Sequence, residues 1–175
     1  VESESEARLI NNIAKRSNKK ISIGFRLNPD IDAKTHEKIS TGKIDNKFGV
    51  SIKSFSDFYK NIKRYKNIKI DALSVHIGSQ ILNDNPFKKT LKVLAKVIHN
   101  LDIKLKYVDL GGGFGISYQK KDKLINLNNY AKLVFNFKKK IGCEIIFEPG
   151  RSLVGNSGII VSKIQYIKKG KNKNF

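Results

Sequence analysis

Cysteine is almost missing from this chain of 175 residues. The lone Cys143 excludes a disulfide framework and is too little for a zinc cluster. A reducing cytoplasm suits that composition. Long apolar runs are missing too. No stretch approaches the ~20 apolar residues that cross a bilayer, which speaks against a membrane partner. The first residues, VESESEAR, are acidic and polar, unlike the start of a secretory signal. They begin with Val rather than Met, as in a processed chain or a piece of a longer reading frame.

Acid is also scarce. Fifteen Asp+Glu face 35 Lys+Arg, for a formal charge of +20. Such an excess can mark nucleic-acid binding. Yet only five of the bases are arginine, and the lysines are spread along nearly every segment, together with abundant Asn and Ile. That is the pattern of an AT-rich coding sequence rather than of a specific nucleic-acid surface. The one local charge run, the tail KKGKNKNF, reads as a solvated end.

What is present alternates. ISIGFRLN (21–28), IKIDALSVHIG (68–78), KLKYVDLGGG (104–113) and CEIIFEPG (143–150) read as strands that end in Gly-, Pro- or Asn-bearing turns. They are mostly apolar runs, as in strands covered on both faces. Helices fit between them. Ser3 and Glu6 form a capping box ahead of Leu9, Ile10 and Ile13. Phe55, Phe58, Ile62 and Tyr65 give a helical stripe. Pro86 suits a first helical turn, followed by Phe87, Leu91, Leu94, Ile98 and Leu101. Leu127, Tyr130, Val134, Phe137 and Ile141 repeat that spacing, with Gly142 as the C-terminal cap. The stretch 157–169 alternates like one longer strand.

Helix–strand alternation of this kind implies an α/β fold with a parallel sheet. Polar and glycine residues collect at the C-terminal ends of the strands, including Arg26, His76, Ser79, Gly111 and Glu148. That distribution favours part of a (β/α)8 barrel, whose active site gathers at that face.

Three short stretches could carry chemistry. LGGGFGI can form a concave nest of backbone N–H groups for an anion, or simply a tight strand-to-loop turn. Its spacing fits neither the dinucleotide nor the P-loop fingerprint. In SVHIGSQ, His76 could stack on a ring beside Ser79, or could be a core histidine satisfied by backbone. In FEPGR, Glu148 could pair with a protonated ring nitrogen and Arg151 with a carboxylate or phosphate. An internal Glu–Arg salt bridge is the plainer alternative. The long polar loop HEKISTGKIDNKFGVS (36–51), ending in Lys47, Phe48 and Gly49, has the length of a functional or mobile segment.

Taken in order, FRLNPDIDAKTHEKISTGKIDNKFGVS, SVHIGSQI, VDLGGGFGISY and EPGRSLVGNSGIIVSKIQYIK resemble the fold-type-III pyridoxal-phosphate-dependent decarboxylases. That family is alanine-racemase-like and acts on ornithine, diaminopimelate or arginine. THEKISTGK and HIGSQ are most similar to its diaminopimelate branch, which makes lysine from meso-diaminopimelate. The resemblance covers nearly the whole chain. It implies the second half of a barrel over 1–156 and, over 157–175, a strand entering a C-terminal β domain.

The resemblance also implies roles. His76 would stack on the pyridine ring. Ser79, Gly111, Gly112 and Gly113 would hold the cofactor phosphate, with Pro149, Gly150 and Arg151 closing that site. Glu148 would keep the pyridine nitrogen protonated, so that the ring accepts electrons as carbon dioxide leaves. Arg151 would also meet a substrate carboxylate, and Arg26 would support the ring. The family is expected to be homodimeric, with no metal. Its Schiff-base lysine sits in a motif like Y-A-x-K-A that this sequence does not contain, so decarboxylation by this chain alone is not expected. Ornithine, arginine or carboxylated-polyamine decarboxylation, and a non-catalytic remnant, are the competing readings. A part-barrel with open sheet edges is expected to associate or to need a complementary fragment.

Overall fold

The computed structural model describes residues 1–32, 48–120 and 122–175. Most of the polar loop, residues 36–47, lies outside these. The chain runs α1 (Glu4–Arg16), β1 (Ile21–Asn28), β2 (Val50–Ser51), α2 (Ile52–Lys60), β3 (Ile68–Ser74), α3 (Asn85–Asn100), β4 (Tyr107–Asp109), α4 (Leu127–Ile141), β5 (Glu144–Ile146) and α5 (Arg151–Val154). A 3₁₀ turn at Ile62–Arg64 follows α2 and takes the last part of the predicted stripe.

The strands form one parallel sheet in the order β2-β1-β3-β4-β5. Ser3 caps α1 by accepting from the Glu6 N–H at 3.1 Å, as its capping box predicts. Gly142 ends α4 in the left-handed region, at φ 73°. There an L side chain would be strained, so glycine is the residue that lets the chain turn into β5.

One face of the sheet is the helix-covered core. Phe25, Leu27, Leu73, Val75 and Val108 are 2% exposed or less, and α3 adds Leu94 at 0%. Phe25 packs its ring against Phe55 and Phe58 of α2, with centroids 5.3 and 5.0 Å away. α1 behaves differently from its pattern. It buries Ala7 and Ala14 and leaves Leu9 and Ile13 more than half exposed. The small alanines are what sit against the sheet, and the larger side chains stay at the rim.

The other face is polar. Register aligns Arg26 with Ser74, Ser74 with Asp109, and Asp109 with Ile146 across four strands. Since side chains alternate along a strand, His76 and Glu148 continue that face one step further toward the C-terminal ends. Near the other end, Asp71 is the extra residue where the β1–β3 register shifts. Its buried carboxylate accepts from the Ser22 hydroxyl at 2.6 Å and lies 2.6 Å from Lys69 Nζ and 3.2 Å from Lys106 Nζ.

Two expectations need correction. The strands predicted over 68–78, 104–113 and 143–150 are shorter, because their glycine-bearing ends leave the ladder and pack against one another. And 157–169 forms no strand. Its one bridge joins Lys169 to Asn174, and Ile160 is 97% exposed. The stretch alternates, but a strand also needs a neighbour for its N–H and C=O groups. None of the five strands lies beside it.

Candidate functional site

The C-terminal ends of β1, β3, β4 and β5 enclose a cavity of about 360 Å³, lined by Arg26, Ser74, Val75, His76, Asp109 and Glu148. That volume is within the ~300–1,000 Å³ of small-molecule sites. Sequence reasoning named three of these six, His76, Glu148 and Arg26. It missed Asp109, although the residue stands inside the quoted VDLGGG, because the glycines beside it drew the attention.

The three consecutive glycines hold the strand ends together. Gly111 lies at φ +64°, and a Cβ there would stand 2.6 Å from the Val75 carbonyl oxygen and 2.8 Å from His76 Nδ1. A Cβ on Gly112 would run into the Glu148 carbonyl, and one on Gly113 into that of Gly78. So β4's end touches β3's end on one side and β5's on the other. The Glu148 N–H donates to the Gly111 carbonyl at 2.8 Å, which fixes Glu148 against the same turn.

His76 is half-buried, and the Gly112 N–H donates to its Nδ1 at 3.3 Å. A ring nitrogen that accepts must be unprotonated, so the ring is neutral with its hydrogen on Nε2. Burial, reinforced by the Arg26 charge, holds the imidazole below its ordinary pKa of 6.5, against the pull of Glu148 and Asp109. Asp109 moves the other way. Burial and the Glu148 charge push its carboxyl up, although its Oδ1 accepts from the Gly111 N–H at 2.8 Å. Arg26 is anchored by an ion pair to Glu2 at 2.9 Å and by the Phe48 ring, 4.9 Å from its guanidinium carbon. Glu2 also accepts from the Gly49 N–H at 2.9 Å, and that bond first, then Arg26, depresses its pKa. Nothing in the sequence pattern pointed to Glu2.

Ser79, Gly113 and Arg151 lie on the adjoining loops rather than on the cavity wall. The Ile81 N–H donates to the Gly113 carbonyl at 2.9 Å, joining the loop after β3 to the one after β4. Arg151 opens α5 directly after Pro149 and Gly150, which are exposed. It donates to Gln80 Oε1 at 3.2 Å. Among the described residues no ion pair joins it to Glu148, so the plainer Glu–Arg bridge does not form. No cluster of His, Cys, Asp and Glu among the described residues could hold a metal ion.

The arrangement suits a flat, anionic heteroaromatic ligand. An imidazole, two carboxylates and the Arg26 guanidinium line one cavity, and a second arginine, Arg151, lies on an adjoining loop.

Comparison with known proteins agrees. The family described as pyridoxal-dependent decarboxylase, pyridoxal binding domain, matches residues 1–155. The diaminopimelate decarboxylase of Haemophilus influenzae is 42% identical over 179 residues, which is all of this chain and 43% of that protein. That of Aquifex aeolicus is 38% identical over 178 residues, 42% of its length. The crystal structure of diaminopimelate decarboxylase from Helicobacter pylori complexed with L-lysine superposes with a TM-score of 0.85 at 38% identity, covering 99% of this chain and 44% of that one. The chain thus spans less than half the length of these relatives. Its sheet and helices are part of the barrel those structures contain, and by the extent of the match the chain belongs to the pyridoxal-dependent decarboxylase family, over the pyridoxal-binding domain.

Proposed function

We propose that this chain is the pyridoxal-phosphate-holding part of a decarboxylase that converts meso-diaminopimelate to lysine. One observation carries the reading. His76, Asp109 and Glu148 converge with Arg26 on one cavity at the carboxyl ends of the strands. His76 would lie on the cofactor ring, its orientation held by the Gly112 N–H. Glu148 would hold a proton at the pyridine nitrogen, with Asp109 beside it in the same cavity. Ser79, Gly113, Gly150 and Arg151 would hold the phosphate, with Gly111 and Gly112, whose N–H groups already bond Asp109 and His76, shaping the turn that places Gly113, and Arg151 also meeting a substrate carboxylate. When bound, the cofactor supplies an electron sink for the carbanion left by carbon dioxide.

Residues 1–156 would be the barrel part, and 157–175 would lead into a second, β-rich domain. The amine that secures the cofactor covalently would come from a strand outside this sequence. The whole enzyme would be a homodimer in the cytoplasm, acting on a small amino acid, with no specific nucleic-acid partner. No described helix is long and apolar enough to cross a membrane.

The test is a titration of the chain with pyridoxal phosphate, followed by the cofactor's absorbance. A saturable change that is lost in Glu148→Ala is the expected result. No saturable change, or one indifferent to Glu148, would end this reading.

A further inference from the structure

Gln80, already met as an acceptor for Arg151, holds its backbone at φ +61°. That left-handed conformation is costly for a residue with a side chain. Its carboxamide makes three hydrogen bonds. Nε2 donates to the Ile116 carbonyl at 2.6 Å, and the Ile116 N–H donates back to Oε1 at 3.2 Å. The amide thus mimics one step of a ladder between the loop after β3 and the loop after β4. The same Oε1 accepts from Arg151 Nη1, also at 3.2 Å. The network fixes which end of the amide is which. A flipped amide would aim N–H groups at both the Ile116 N–H and the guanidinium.

One further contact holds the same arginine. Its guanidinium carbon lies 5.9 Å from the centroid of the Tyr118 ring. A Cβ on Gly155 would stand 2.7 Å from Ile116 Cδ1 and 3.2 Å from Arg151 Cγ, so glycine there lets both side chains approach the start of the next segment. Gln80 thus grips both Ile116 and Arg151. The acceptor is neutral. Gln80 restrains the guanidinium without cancelling its charge, and one amide oxygen leaves the other N–H donors of the fork for an anion.

We propose that Gln80 is a positioning residue that sets the Arg151 guanidinium for an anionic ligand group, phosphate or carboxylate. This rests on the reading of Arg151 as an anion-binding residue. Two substitutions separate restraint from charge. Gln80→Met keeps the volume and removes all three hydrogen bonds. Gln80→Glu keeps an acceptor for Arg151 but neutralises it and loses the donor to Ile116.

The experiment measures the ¹⁵N heteronuclear NOE of Arg151 Nε, without ligand, together with titrations of the full chain with pyridoxal phosphate and with unphosphorylated pyridoxal. In Gln80→Met the Arg151 NOE should fall while backbone NOEs over 110–118 hold. Affinity for pyridoxal phosphate should drop about tenfold, with pyridoxal unaffected. In Gln80→Glu the NOE should persist and pyridoxal phosphate binding should still weaken. An unchanged Arg151 NOE in Gln80→Met overturns the proposal, as does an equal loss for both ligands. If the NOE responds but the unsubstituted chain binds neither ligand, the cofactor-site reading has failed and the anion role of Gln80 fails with it. The mechanical coupling then stands as a separate result.

Discussion

Replacing Asp71 with Asn should make the chain's stability markedly less dependent on acid. The Asp71 side chain is 5% exposed and sits between Lys69 and Lys106. Lys69, whose ammonium lies 2.6 Å away, and the Ser22 hydroxyl draw its pKa from 3.8 down to about 2, Lys106 adds to this, and burial opposes it without prevailing. A carboxyl more acidic folded than unfolded stabilises the fold fully above its unfolded pKa. That contribution fades as pH falls from 3.8 toward about 2. At 1.36 kcal/mol per pKa unit, the shift corresponds to about 2 kcal/mol at neutral pH. Asp71→Asn also leaves the two ammonium groups facing an uncharged amide. Urea unfolding followed by circular dichroism at a series of pH values should therefore show the variant about 2 kcal/mol less stable at neutral pH. The two curves should converge near pH 2. A stability gap of the same size at every pH would refute the reasoning, since the loss would then come from shape or packing and not from the carboxylate's charge.

Gly111→Ala should cost ~1–3 kcal/mol of stability and shift the His76 ring resonances, because the new Cβ meets both Val75 and His76 at a positive φ. Gly150→Ala is the control, with nothing within 4 Å of the added carbon, and denaturant titration should find it near neutral. In an NMR pH titration, His76 should protonate with a midpoint below 6.5, and Arg26→Gln should raise that midpoint by removing a nearby positive charge. A midpoint unmoved by Arg26→Gln would mean that burial alone sets it.

The sequence was most legible where local chemistry and packing agreed. The β1 span of 21–28 emerged as read, and so did the Ser3 cap of α1 and the left-handed cap at Gly142, while the Glu6 carboxylate accepts from the Glu2 N–H instead of closing the box on Ser3. Legibility failed where an outcome depends on distant segments. β2 is two residues long and exists only because Val50 and Ser51 meet Leu27 and Asn28. The apolar alternation of 157–169 says that one face could be buried, not that a partner strand stands beside it. In the site, the motifs marked His76 and Glu148, because strand ends followed by glycine are visible in one dimension. Asp109 and Gln80 matter through partners up to 71 residues away, the separation of Gln80 from Arg151, and no spacing rule reaches that far.

The polar face of the sheet has a further consequence, for additivity. Asp71 and His76 lie on one extended segment, five positions apart, which at ~3.3 Å per residue is ~16 Å. That is well beyond the ~7–10 Å within which substitutions usually couple. The carboxylate at one end and the imidazole at the other should hardly sense each other's proton. Free-energy changes from substitutions at the two ends should then sum, within the few tenths of a kcal/mol typical of independent sites. The lower end of the sheet could be engineered for acid tolerance without retuning the chemistry at the upper end.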